Sequence, residues 1–224
     1  MLPRVLEPEA MNTPDEAVEY DSMDHAAVNA RFVADFLAGH GPCRGGEILD
    51  LGTGTARIPI ALCQADPNAR VLATDLSGPM LDLAHRNIAA AELAARIRTF
   101  HGDAKELTLP NGAFEAVISN SITHHIPDPA PVVCEIVRLV APGGTVFVRD
   151  LARPSDLDQI DQLLQTYAGS ESAPARALFE ASLRAALTLD EFRALVRGVG
   201  LVDAGACVTQ TSDRHWTWLW RRPD

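Results

Sequence analysis

Hydrophobic spacing changes several times along the chain, and each change marks an expected element. Over residues 17–37 the apolar positions Val18, Val28, Phe32, Val33, Phe36 and Leu37 fall at helical intervals, so one helix is expected there. Gly39, Gly41 and Pro42 stop it. A regular alternation follows. Short apolar runs at 47–51, 70–74, 97–100, 114–119 and 145–149 read as buried strands, and the stretches 55–65, 77–91 and 129–140 as helices. Pro59 falls in the first turn of its helix, where proline is tolerated, and Ser77 caps the next one. Strands alternating with helices at this rhythm predict an α/β fold with a doubly wound, mostly parallel sheet.

The two ends depart from the rhythm. Residues 1–15 carry Pro3, Pro8 and Pro14 among acidic residues and read as a loose leader. Residues 154–187 read as an Ala-rich helical insertion broken near Gly169 and Ser170. Thr188, with Glu191 three residues on, is a capping box that opens a further helix. Two strands at 201–208 and 215–220, joined by the polar stretch 209–214, are expected to close the chain as a hairpin. The expected organisation is a leader and helix at 1–40 followed by one domain at 41–224.

Composition narrows the function. At 224 residues and 47% hydrophobic content the chain supports one full core. A net charge of −11 argues against a phosphate-tracking surface, so no nucleic-acid partner is expected. Cys43, Cys63, Cys134 and Cys207 form no C-x-x-C pair and have no histidine at ligand spacing beside them, so reduced thiols and no metal are expected. No apolar run approaches the ~20 residues of a membrane helix, and charge and proline break the first residues. A cytoplasmic protein without a membrane partner is therefore expected.

The chemistry concentrates at three strand ends. The segment Ile48-Leu-Asp-Leu-Gly-Thr-Gly-Thr-Ala-Arg57 runs a buried strand into Gly52 and Gly54 and then into a helix. Glycine there lets the backbone turn tightly and approach a ligand that a Cβ would exclude. Asp75 follows the second strand, where a carboxylate can accept hydrogen bonds from both hydroxyls of a ribose; its plainer role is a helix cap. Asp103, after Gly102, follows the third, where it could accept from an exocyclic amino group or be a turn aspartate. All three lie at the carboxyl edge, where open α/β sheets bind ligands.

These residues, in this order, resemble the class I S-adenosylmethionine-dependent methyltransferases over about residues 47–150. Residues 48–56 resemble the cofactor loop, Asp75 the ribose-binding acid and Gly102-Asp103-Ala104 the adenine-binding stretch. Residues 114–120 and the turn at 139–144 resemble the fourth-strand motif and the approach to strand five. Ala56 stands where a third glycine is often found. The resemblance implies a Rossmann-like seven-stranded sheet with strand seven antiparallel between five and six. It also implies S-adenosyl-L-methionine as cofactor, held by Asp50, Gly52, Thr53, Gly54, Arg57, Asp75, Leu76, Met80, Gly102, Asp103, Ala104, Asn120 and Ser121. Within the family the stretch Asn120-Ser-Ile-Thr-His-His-Ile126 is most similar to the small-molecule and quinone-biosynthesis type, implying a small-molecule methyl acceptor.

Methyl transfer from a sulfonium is an in-line displacement, in which the protein mainly orients and desolvates. A base is needed only where the acceptor loses a proton on attack, and His125, His124 and Asp150 are the candidates. Tyr20, Asp24, His25 and Asn29 on the N-terminal helix, with Asp21 beside them, and Arg149 at the end of strand five are candidates for acceptor contact. That helix and the insertion at 154–187 are expected to roof the acceptor. Trp216, Trp218 and Trp220 share one face of the last strand, where core packing is favoured over a cation-binding cage. Two rival readings share the motifs: a cofactor-binding protein without chemistry, and a nicotinamide-dependent oxidoreductase. With Tyr20 and Tyr167 as the only tyrosines, no Tyr-x-x-x-Lys pair supports the latter. A homodimer is compatible with the sequence.

Overall fold

The computed structural model describes residues 2–7, 12–23, 25–201 and 203–224. Where one helix is expected over 17–37 there are two, α1 (Pro14–Ser22) and α2 (Ala26–His40). The caps explain the difference. Thr13 and Glu16 form a reciprocal capping box with Pro14 at the first position, so α1 starts inside the expected leader, and the chain turns extended at Met23. Apolar spacing survives the interruption and therefore hides it. Nor are Arg4 and Val5, within the expected leader, loose. The Val5 N–H donates to the Arg184 carbonyl at 3.0 Å. The Arg4 guanidinium donates to the carbonyls of Ala185 (2.7 Å), Ile126 (2.9 Å), Pro127 (3.0 Å) and His124 (3.1 Å).

The alternating section follows its expected order: β1 (Glu47–Leu51), α3 (Arg57–Ala65), β2 (Arg70–Asp75), α4 (Gly78–Ala90), β3 (Ile97–His101), β4 (Phe114–Asn120), α5 (Ala130–Leu139) and β5 (Val140–Leu151). The 12-residue β5 absorbs the turn expected at 141–144. Beyond it lie α6 (Leu157–Ala168), α7 (Ala173–Ala185), α8 (Leu189–Gly198), β6 (Val208–Gln210) and β7 (His215–Arg221). The capping box of Thr188 and Glu191 opens α8 as expected. The strand expected at 201–208 is mostly a 3-10 turn, Asp203–Cys207, and only β6 pairs; Val202 lies outside the described residues. The run Ala204-Gly205-Ala206 lacks the β-branched side chains that favour a pleated surface.

The sheet order is β3-β2-β1-β4-β5-β7-β6. β1 pairs parallel with β2 (Ile48 opposite Val71) and with β4 (Ile48 opposite Ala116), and β2 with β3. β6 and β7 are antiparallel, Val208 opposite Trp218. The seven-stranded Rossmann-like sheet with strand seven between five and six is thus as the sequence motifs imply. Burial on both faces explains why β1 reads as a continuous apolar run: Ile48, Leu49 and Leu51 are all fully buried.

Two compact units divide the chain. One comprises residues 10–120, 131–148 and 219–224, the other 1–9, 121–130 and 149–218. In the first, Phe32 and Phe36 of α2 pack edge-on to Phe147 of β5, within a core that includes Ile48, Leu62, Val71 and Ile118. In the second, Leu163 and Leu183 bury against Leu151 and Ala186. The Phe192 ring stacks on Trp216 at 3.9 Å and meets Trp218 edge-on. Trp216 and Trp218 are fully buried, so they serve packing.

Candidate functional site

The glycine loop forms because its backbone must run left-handed. Gly52 (φ 68°), Gly54 (φ 55°) and also Ala56 (φ 63°) lie in the region that L side chains rarely adopt. Ala56 tolerates it at the entry to α3, fully buried, where a larger residue would clash. The Thr53 N–H donates to the Thr74 carbonyl at 2.8 Å, which ties the loop to the end of β2. Asp75 completes the tie: Oδ2 accepts the Gly54 N–H and Oδ1 the Ser77 N–H, each at 2.8 Å. Burial holds its carboxyl above the usual range despite the backbone N–H groups of Ser77, Gly54 and Leu76. Asp75 is therefore not the cap of α4; Ser77 is, accepting the Met80 N–H.

Below the loop, Asp50 is 2% exposed and burial pushes its carboxyl up to about 7. Its Oδ2 and the hydroxyls of Thr53 and Thr55 are buried without a hydrogen-bond partner among the described residues. Such groups are costly unless something completes them. A buried carboxylate beside orphaned hydroxyls fits a cationic, polar ligand.

Helix α1 covers this loop. The Tyr20 ring stands 3.6 Å from where a Cβ on Gly54 would lie and meets the His25 ring at 5.3 Å. Asp21 is held by Arg57 through two bonds of 3.0 and 2.8 Å and by the Asn87 amide at 3.0 Å. Arg57, expected to face the cofactor, is thus paired with Asp21. Tyr20, His25, Asn29, Thr53 and Asn120 are among the residues lining a narrow cavity of about 40 Å³. Asp24 lies outside the described residues. A larger hollow of about 390 Å³ sits beside Arg44, Arg70 and Arg96, at the amino-terminal end of β2, away from the glycine loop.

At β3, Asp103 accepts the Lys105 N–H at 2.9 Å and pairs with its ammonium at 3.3 Å, shaping the turn after Gly102. Ala104 is half-buried, Leu76 is exposed beside Asp75, and Met80, in the first turn of α4, is buried.

The histidine loop belongs to the other unit. Ser121 takes φ 60° and its N–H reaches the Arg149 carbonyl. Thr123–His125 is a 3-10 turn clamped by Asp150, whose Oδ2 accepts the N–H groups of Thr123 (2.6 Å) and His124 (3.2 Å). The Asp150 Oδ1 meets His124 Nδ1 at 2.5 Å. Burial opposes charge on His124, but Asp150 and then Glu7 outweigh it and raise its pKa, while His124 holds Asp150 low. Glu7, overlooked in the leader, is 3.2 Å from His125 Nδ1 and 3.4 Å from His124 Nε2. No local sequence signal marks it. Arg149 is buried, its Nε on the Thr217 hydroxyl at 3.0 Å, and Arg153 is tied to Glu191 and the Ala186 carbonyl.

Comparison with known proteins adds three findings. Residues 48–144 match the family described as methyltransferase domain. Over 180 residues the chain is 31% identical to an uncharacterized methyltransferase of Mycobacterium tuberculosis strain H37Rv, covering 79% of this chain and 87% of that one. A demethylmenaquinone methyltransferase of Thermus thermophilus is 36% identical over 108 residues, 48% of each chain. Among solved structures, a SAM-dependent methyltransferase from Aquifex aeolicus superposes with a TM-score of 0.68 at 13% identity, covering 94% of this chain and 99% of that one. Among the described residues no helix is long and apolar enough to cross a membrane.

Proposed function

The chain belongs to the class I S-adenosylmethionine-dependent methyltransferases, and from that premise we propose how its residues divide the work and what kind of acceptor it takes. The protein is an enzyme that moves a methyl group from S-adenosylmethionine to a small molecule. When bound, the cofactor supplies the electrophilic methyl group. Gly52, Thr53 and Gly54 offer the close backbone approach, Asp75 the acceptors for a ribose diol, and Asp103 an acceptor for an adenine amino group. Asp50 offsets positive charge.

The observation that carries this assignment is the buried, uncompensated Asp50 beneath a loop whose next carboxylate, Asp75, keeps lone pairs to spare. The cofactor's cationic groups would answer the first, and its ribose hydroxyls the second.

On the acceptor side, Tyr20, His25, Asn29 and Asn120 line the mouth. Burial and the surrounding charges of Asp75, Asp50 and Asp21 raise the Tyr20 hydroxyl, so this mouth repels anions. The acceptor is a polar, non-anionic small molecule. The likeness to a quinone-pathway relative supports a neutral ring. In the other unit, Asp150 holds the turn that carries His124 and is a positioning residue.

Calorimetry with S-adenosylhomocysteine, followed by a screen for its release from S-adenosylmethionine over anionic, neutral and cationic acceptors, tests the reading. Turnover confined to neutral or cationic acceptors supports it. Turnover with anionic acceptors alone refutes the acceptor class, and failure to bind S-adenosylhomocysteine refutes the residue assignment.

A further inference from the structure

Three ligand-type atoms converge in the unit formed by residues 1–9, 121–130 and 149–218. Glu7 Oε1, His124 Nε2 and His125 Nδ1 all lie within 4.8 Å of one another. Successive residues rarely aim at one point, but the 3-10 turn brings the two rings to 4.1 Å between centroids, and Asp150 holds that turn from behind. We propose that Glu7, His124 and His125 form a binding site for a divalent first-row transition ion, zinc above all, with Asp150 orienting His124.

Asp150 engages His124 through Nδ1 at 2.5 Å, which leaves Nε2 as the ring atom turned toward the Glu7 carboxylate 3.4 Å away. Ligand-type atoms gathered this closely in a buried place are completed by a positive charge between them, a proton or a metal ion. A proton would serve, but charge-assisted N–H···O bonds close to about 2.7–2.9 Å. Glu7 Oε1 instead stands at 3.2 and 3.4 Å from its two imidazole neighbours and, among the described residues, makes no hydrogen bond. Those separations match the edge of a tetrahedron: bonds of about 2.0–2.1 Å around zinc put ligand atoms about 3.3–3.4 Å apart.

The donor set agrees. Two imidazoles and one carboxylate suit zinc, iron, cobalt or nickel rather than magnesium or calcium. Three protein ligands leave a fourth position open, and a carboxylate behind a ligating histidine is the usual outer partner of such sites. Arg4 opposes a cation here, since it donates to the His124 and Ile126 carbonyls. Two carboxylates, Glu7 and Asp150, outweigh its single charge.

The test needs no turnover, so it stands or falls apart from the methyl-transfer reading. The full chain, stripped with a chelator, is titrated with Co²⁺, whose four-coordinate complexes absorb strongly in the visible. One equivalent bound with that absorption, and displaced by Zn²⁺, is expected. Glu7→Gln and His125→Asn should each weaken uptake at least tenfold, and Zn²⁺ should raise the melting temperature of the unaltered chain but not of either variant. His125 is partly exposed, so its variant carries the comparison if Glu7→Gln does not fold. Absence of stoichiometric uptake by the unaltered chain, or equal uptake by the folded variants, overturns the site.

Discussion

Replacing Asp75 by asparagine separates binding from folding. The carboxylate oxygens accept the backbone N–H groups of Gly54 and Ser77, with Leu76 contributing a third, and keep acceptor capacity for a ribose hydroxyl. Asparagine keeps one acceptor and turns the other position into a donor. Losing a hydrogen bond to a charged group costs about 1.5–3 kcal/mol, so the dissociation constant for S-adenosylhomocysteine should rise roughly 10- to 150-fold. Stability faces two opposing changes. One backbone N–H loses its acceptor, while a carboxylate that burial disfavours in its charged form is removed. The net shift in melting temperature should stay within about 4 °C, equivalent to about 1 kcal/mol for a domain of this size. Calorimetric titration at 25 °C, beside a thermal melt of the same preparation, reads both. An affinity within about threefold of the unaltered chain, in a protein that melts normally, would refute the ribose assignment.

Further outcomes follow from other positions. Gly52→Val should abolish S-adenosylhomocysteine binding, since φ 68° excludes a β-branched residue; intact titration would show that the loop is not the cofactor seat. For Asp50, at about 7 in the folded chain and about 3.9 unfolded, the stabilising share is complete below the lower value and lost as pH rises through the upper. Asp50→Asn should therefore raise the melting temperature more at about pH 8 than at about pH 5, and equal gains would count against a buried unpaired carboxyl. Burial, and then Arg214, pushes His215 down to about 4, so unfolding takes up a proton below about 6.5. Stability should fall between those values, and His215→Gln should flatten that limb in melts across the range. Trp216→Ala removes a fully buried ring stacked on Phe192 and should cost roughly 3–5 kcal/mol in a denaturant titration.

The parallel core was legible because burial on both faces forces uninterrupted apolar runs such as 47–51, and because glycine marks left-handed backbone as no other residue does. The cofactor loop was legible for the same local reason. What escaped was decided by capping or by distance. The break between α1 and α2 falls at the extended Met23 and leaves the apolar period intact, and the capping box at Thr13 and Glu16 begins inside a stretch expected to be loose from its prolines. The strand expected at 201–208 failed because small residues satisfy an apolar pattern without supplying a strand's side-chain packing. Glu7 and Arg4 escaped altogether, since their partners lie more than a hundred residues away. Periodicity carries no information about such pairings.

The place of β7 has a consequence for biosynthesis. β7 is made about sixty residues after β5 and yet is an interior strand: it lies between β5 and β6, and the Arg222 N–H bonds to the Gly144 carbonyl while the Arg222 carbonyl accepts from Gly143. A ribosome working at about 5–20 residues per second exposes β5 well before its neighbour exists. Throughout that interval the nascent chain carries an open strand edge, the feature that invites pairing with other chains. Premature termination a dozen residues early would not trim a tail; it would leave that gap permanent. Chaperone demand during translation, more than the stability of the finished enzyme, should set how much active protein a cell obtains.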